Sequence, residues 1–99
     1  MIDLHYTEEN MLNFMSIVKI RKSTFDEWKY AMDDFEEMTQ NFMRNQTIAK
    51  VDENTGIICG YVFDPELMNQ FLSDPALQEM AELYGTEHVV YHLEPAPTP

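Results

Sequence analysis

Residues 46–65 read QTIAKVDENTGIICGYVFDP. Two runs in this stretch, 46–52 and 57–63, are rich in β-branched and aromatic residues, which suit a pleated, half-buried surface. Between them, Glu53-Asn54-Thr55-Gly56 ends in a residue that tolerates positive φ, so the pair is predicted to form a β-hairpin. Gly60, inside the second run, marks a bulge or a close approach of backbone. Asp64-Pro65 then starts a helix. The short acid caps the free N–H groups, and proline occupies the first helical position, where its missing N–H costs nothing.

Outward from this hairpin the chain repeats one order on each side. Upstream, residues 12–21 (LNFMSIVKIR) alternate as a strand, with Phe14, Ser16, Val18 and Ile20 on one face and Met15, Ile17 and Lys19 on the other. A helix is predicted over 25–43, because Phe25, Trp28, Met32, Phe35, Met38 or Thr39, and Phe42 recur at steps of three and four. Thr24 with Glu27 three residues later fits a capping box at its start. Downstream, Ser73-Asp74-Pro75 repeats the helix-start signal, so the second helical region is predicted as two pieces, 65–72 and 75–84, with Gly85 as the C-terminal cap. Residues 87–93 (EHVVYHL) form a last strand, with Val89, Tyr91 and Leu93 on one face and His88, Val90 and His92 on the other.

The order is strand, helix, strand, strand, helix, strand. It predicts an α+β domain: a four-stranded antiparallel sheet with the helices on one face. One domain spans 1–99, with a core of about 12–94 and a proline-rich tail at 95–99 that cannot continue a sheet. Residues 1–11 show no sustained period, although Ile2, Leu4 and Tyr6 alternate as a short added strand would. Both faces of the sheet carry Val, Ile, Tyr and Phe, and helices cover only one. The other would expose more apolar surface than a monomer usually tolerates. A second copy related by a two-fold axis is the commonest cover, so a homodimer is expected.

Charge narrows the partners. Eighteen acids face six bases, a formal −12, and residues 51–99 hold no Lys or Arg. Nucleic acid and anionic membrane are bound through clustered cations, so neither is an expected partner. No apolar run approaches the ~20 residues that cross a bilayer. Asp3, Glu8 and Glu9 stand where a signal peptide would carry Lys or Arg. The single Cys59 permits no intramolecular disulfide, and a reducing cytoplasm is the expected setting.

Few residues carry obvious chemistry. His88 and His92 share a strand face and titrate near neutral pH, so they are the candidate catalytic pair. Four residues of strand separate them by ~13 Å, too far for one metal ion. No metal site is expected, and His5 near the start could approach either histidine only through the fold or across a dimer. Trp28 and Met32 on the first helix, with Tyr61 and Tyr91 on strands, are the candidate ligand-binding residues. The exposed run Asp33-Asp34 with Glu36-Glu37 lacks the alternating oxygen ligands of a calcium loop. Cys59 reads as a small apolar residue, and most of the eight methionines as deformable core filler. Phosphate-binding, nucleophile-elbow and zinc signatures are absent.

Thr24-Phe25-Asp26-Glu27-Trp28-Lys29 after the first strand, the Asp-Glu-Asn-Thr-Gly hairpin, Phe63-Asp64-Pro65-Glu66, Phe71-Leu72-Ser73-Asp74-Pro75-Ala76-Leu77 and the closing valine-rich strand together resemble the dimeric α+β barrel superfamily. These small ferredoxin-like proteins include the antibiotic-biosynthesis-monooxygenase-like domains. The resemblance covers about residues 14–94. It implies two sheets closed into a barrel across a two-fold axis, and a cavity between helices and sheet in each subunit. In catalytic relatives that cavity takes an aromatic or another small organic molecule, sometimes haem, often with no added cofactor. No catalytic motif of the family is present to transfer. Two functions follow as expectations. One is a small-molecule-binding homodimer with cofactor-independent monooxygenase-like or isomerase-like chemistry on an aromatic. The other is a non-catalytic dimeric interaction or regulatory module whose cavity is filled by its own side chains.

Overall fold

Four antiparallel strands form one sheet. The structure, a computed structural model, describes residues 11–94. The alternation at Ile2, Leu4 and Tyr6, together with His5 and the tail 95–99, lies outside the described residues. The elements are β1 (Phe14–Ile20), α1 (Phe25–Met32), a 3₁₀ turn (Asp33–Phe35), α2 (Glu36–Thr39), β2 (Met43–Asp52), β3 (Thr55–Val62), α3 (Pro65–Leu72), α4 (Pro75–Tyr84) and β4 (Thr86–His92). This is the ferredoxin-like α+β arrangement, with β1 and β3 at the centre and β2 and β4 at the edges. Among the described residues no helix is long and apolar enough to cross a membrane.

Local chemistry sets the element ends. Thr24 Oγ1 accepts from the N–H of Glu27 at 3.3 Å. Asp64 Oδ1 accepts from Leu67 at 3.1 Å, and Asp74 Oδ1 from Ala76 at 2.8 Å, so both aspartate–proline signals are real helix starts. Gly85 closes α4 in the left-handed conformation, φ 65°. At the hairpin tip Asp52 Oδ1 accepts from the N–H of Asn54. That bond holds the exposed Asp52 carboxyl below its ordinary range. Asn54 Nδ2 in turn donates to the carbonyl of Ser23 at 2.9 Å, tying the tip to the loop that leads into α1.

Three boundaries differ from the sequence expectation. The single helix predicted over 25–43 is broken at Asp33–Phe35 and ends at Thr39. Asp33 meets Glu36 and Glu37 at three- and four-residue spacing, and such like-charged pairs weaken an α-helix. The 3₁₀ turn leaves Met38 exposed and turns Thr39 inward. Second, β2 begins at Met43 rather than 46. Asn45, at φ 56°, lies in a register irregularity between Arg44 and Thr47, so the strand runs on through residues that do not read as β-formers. Third, Gly56 is not a turn residue. It lies in β3, where a Cβ would come within 2.8 Å of the Phe25 ring, so it is there for the close approach of α1. Gly60 faces Met43, which occupies the space a side chain would take.

Pairing fixes which residues share a face. Ile48, Ile58, Ser16 and Val90 form one cross-strand row; Gly56, Val18 and His88 form the next. These rows face the helices. Val18 (0% exposed), Ile20 and Trp28 (1% each) form the centre of the core. A second cluster gathers Phe42, Met43 and Phe71 where α2, β2 and α3 meet, and Phe71 contacts Phe42 and Phe35 with ring centroids 5.3 and 5.8 Å apart. The intervening rows, Ala49–Ile57–Ile17–Val89 and Thr47–Cys59–Met15–Tyr91, face away from the helices. Val89 and Tyr91 there are 53% and 44% exposed.

Candidate functional site

Between the helices and the sheet lies a cavity of about 450 Å³. Trp28 and Met32 of α1 line it because their three- and four-residue spacing turns them to the sheet. Phe14 and Ser16 of β1 and Ile58 of β3 supply sheet-side lining, and Met68 of α3 with Met80 and Ala81 of α4 supply helix-side lining. Thr86, His88 and Val90 of β4 complete it. Val90 and Leu72, both lining residues, are 59% and 52% exposed, so the cavity opens beside the edge strand β4 and the end of α3.

The size has an energetic meaning. A sealed void of this volume would cost about 10 kcal/mol at ~24 cal/mol per Å³. That equals the whole stability of an ordinary domain. The fold avoids the penalty by leaving the cavity open. Its volume falls within the range of small-molecule sites, about 300–1,000 Å³.

Most of the lining is apolar, but polar side chains stand on the wall too, Asn69, Gln78 and Thr86 among them. His88 is the one ionisable residue among the described lining residues. Its Nδ1 lies 3.0 Å from Ser16 Oγ. The two are diagonal neighbours on the inner face, since Ser16 pairs with Val90 and His88 with Val18. Ser16 is 1% exposed. His88 itself has accessible surface because the cavity opens beside it, yet enough protein surrounds the ring to disfavour the imidazolium. Burial therefore lowers its pKa below the ordinary 6.5. Further along, Thr39 Oγ1 lies 2.9 Å from Gln46 Oε1, a second polar spot on the wall.

Of the residues singled out in the sequence, Trp28, Met32 and His88 come together at this cavity. Tyr61 and Tyr91 do not. Tyr91 pairs with Met15 and Tyr61 with Arg44, so both tyrosines fall on the sheet face away from the helices. The sequence pattern had grouped them by residue type, and strand parity separates them from the cavity. His92 shares the inner face with His88 by its pairing with Phe14, but it is exposed and does not line the cavity. Ser16 also lines the cavity, and the sequence pattern does not single it out. The available signal was a lone hydroxyl in the apolar inner row Phe14, Val18, Ile20, and its significance depends on which strand lies beside β1.

No family model matches the chain, and no curated protein sequence matches it. Among solved structures, the chain is similar to the crystal structure of SnoaB, a cofactor-independent oxygenase from Streptomyces nogalater, with a TM-score of 0.61 at 11% identity over 86% of this chain and 94% of that one. At that identity the likeness speaks for the fold. The ferredoxin-like α+β layering seen here is thus one that a cofactor-independent oxygenase also uses.

Proposed function

We propose that this chain is a homodimeric small-molecule-binding protein, working in a reducing cytoplasm, whose cavity takes a small, flat aromatic molecule. The observation that carries the reading is the open cavity of about 450 Å³, largely apolar, with a single ionisable group on its wall. Trp28 and Met32 are the body-contacting residues, and His88 orients or deprotonates the bound molecule. Cofactor-independent monooxygenase-like or isomerase-like chemistry is the activity we assign for testing. The fold it shares with SnoaB supports that choice by analogy. The alternative, a non-catalytic module with its interior filled by its own side chains, is disfavoured by the open space in the structure.

Methionine methyls provide the test. Met32, Met43, Met68 and Met80 line the cavity, whereas Met15 lies on the opposite sheet face and Met38 is exposed on α2. With ¹³C-methyl-labelled methionine, addition of 2-acetylnaphthalene is expected to shift the cavity set saturably and leave Met38 unmoved. Shifts spread evenly over all methyls, or none at all, would reject the site. Ala81→Phe, which fills the cavity from α4, is expected to abolish the response. Oxygen uptake with 1-naphthol as substrate then separates turnover from binding.

A further inference from the structure

We propose that Ser16 is a positioning residue that holds His88 in one tautomer, with Nδ1 accepting from the Ser16 hydroxyl and Nε2–H offered to the cavity as a donor. The cavity then selects molecules that carry an acceptor oxygen, such as a ketone, quinone or ionised phenol, on an apolar body. This rests on the reading of the cavity as a binding site and names the chemistry of its ligand.

The argument is one of hydrogen counting. Ser16 is 1% exposed, so its hydroxyl hydrogen cannot be left to water. Buried donors are paired in native structures, and no buried side-chain nitrogen or oxygen among the described residues lacks a partner. Among those residues, the contact of Ser16 Oγ is His88 Nδ1 at 3.0 Å. A neutral imidazole has one N–H and one lone pair. If the hydrogen were on Nδ1, it would donate to Oγ, and the serine hydrogen would be left without an acceptor. The imidazolium has the same defect. Only the Nε2–H form satisfies both groups. His88 is exposed and lines the open cavity, and no acceptor among the described residues is paired with Nε2, so that donor is open to water and to a ligand oxygen that displaces it.

The same contact could be read as a nucleophile and its base. The surroundings oppose that reading. Ser16 is in the middle of the central strand β1, paired on both sides, so the backbone N–H groups that would stabilise an oxyanion are committed to the sheet. No carboxylate among the described lining residues stands behind His88 to stabilise a charged ring.

The test uses the full chain labelled with ¹⁵N-histidine. Long-range ¹H–¹⁵N correlations at pH 7.5 are expected to show the His88 proton on Nε2. Ser16→Ala is expected to release the ring to a mixture of tautomers, and Ser16→Thr, whose hydroxyl remains and whose methyl has the cavity to enter, to restore the single form. In binding, wild type is expected to prefer 2-acetylnaphthalene over 2-isopropylnaphthalene, which matches its shape without the acceptor, by about tenfold. That preference should fall several-fold in Ser16→Ala and vanish in His88→Ala. A proton on Nδ1 in the wild type, an unchanged ring in Ser16→Ala, or equal affinity for the two probes would overturn the assignment. So would acylation of Ser16 by 4-nitrophenyl acetate, detected by mass spectrometry. If neither naphthalene moves the cavity methyls, the binding-site reading fails, while the ring spectrum still decides the role of Ser16.

Discussion

His88 shows how one position couples stability to pH. Its folded pKa lies below the ordinary 6.5, so between the two values the unfolded chain binds more protons than the folded one. Stability contributed by the neutral ring is therefore full above about pH 6.5 and declines as pH falls below it. Protonation would also break the acceptor role of Nδ1 toward Ser16. The expected result is that His88→Gln narrows the difference in urea midpoint between pH 7.5 and pH 5.5 relative to wild type. An identical difference in the two proteins would show that His88 carries no such linkage. At Gly56 the constraint is steric. A methyl group there would meet the Phe25 ring at 2.8 Å and the Trp28 ring at 3.2 Å, so Gly56→Ala is expected to lower stability by about 1–3 kcal/mol, measured by urea unfolding.

At the scale of elements, the helix starts were legible because capping is local chemistry. Asp64-Pro65 and Asp74-Pro75 each put an acceptor and a preset φ within two or three residues of the groups they serve, and the predicted pieces 65–72 and 75–84 are those observed. Asp64→Ala is expected to cost about 1 kcal/mol, and Gly85→Ala about 1–2 kcal/mol because its φ of 65° is left-handed. Thermal and urea unfolding of the two variants checks both figures. The first helix was less legible. Its apolar stripe keeps the helical period through the acidic run, so periodicity alone did not disclose the 3₁₀ turn at Asp33–Phe35. The early start of β2 was hidden for a related reason. Met43 and Arg44 are neither β-branched nor aromatic and Asn45 disfavours strands, yet Met43 pairs with Val62 and a register irregularity after Arg44 carries the strand past Asn45.

For the whole molecule, two-sided apolarity leads us to expect association. The row Ala49–Ile57–Ile17–Val89 crosses the entire sheet on the face away from the helices. We expect two copies to shield it from each other, burying on the order of 1,600 Å². Sedimentation at micromolar concentration should give a dimer, and Ile57→Lys, central in that row, a folded monomer with unchanged circular dichroism. A wild-type chain that sediments as a single subunit would refute the expectation. His88→Ala and His92→Ala should leave the dimer intact, since both histidines are on the helix side of the sheet.

Sequence alone determined the order of elements, where three of the four helical segments begin, the αL cap at Gly85 and the apolarity of both strand faces. Each of these is decided by groups a few residues apart, where side-chain size, φ preference and a free backbone N–H act directly. Only the tertiary structure decided that Ser16 meets His88 across 72 residues of chain, and that Tyr61 and Tyr91 are turned away from the cavity that Trp28 lines. Those outcomes depend on which strands are neighbours and on their register. A shift of one residue would exchange the two faces of a strand, and pairing partners distant in the chain leave no local mark by which the choice could be read.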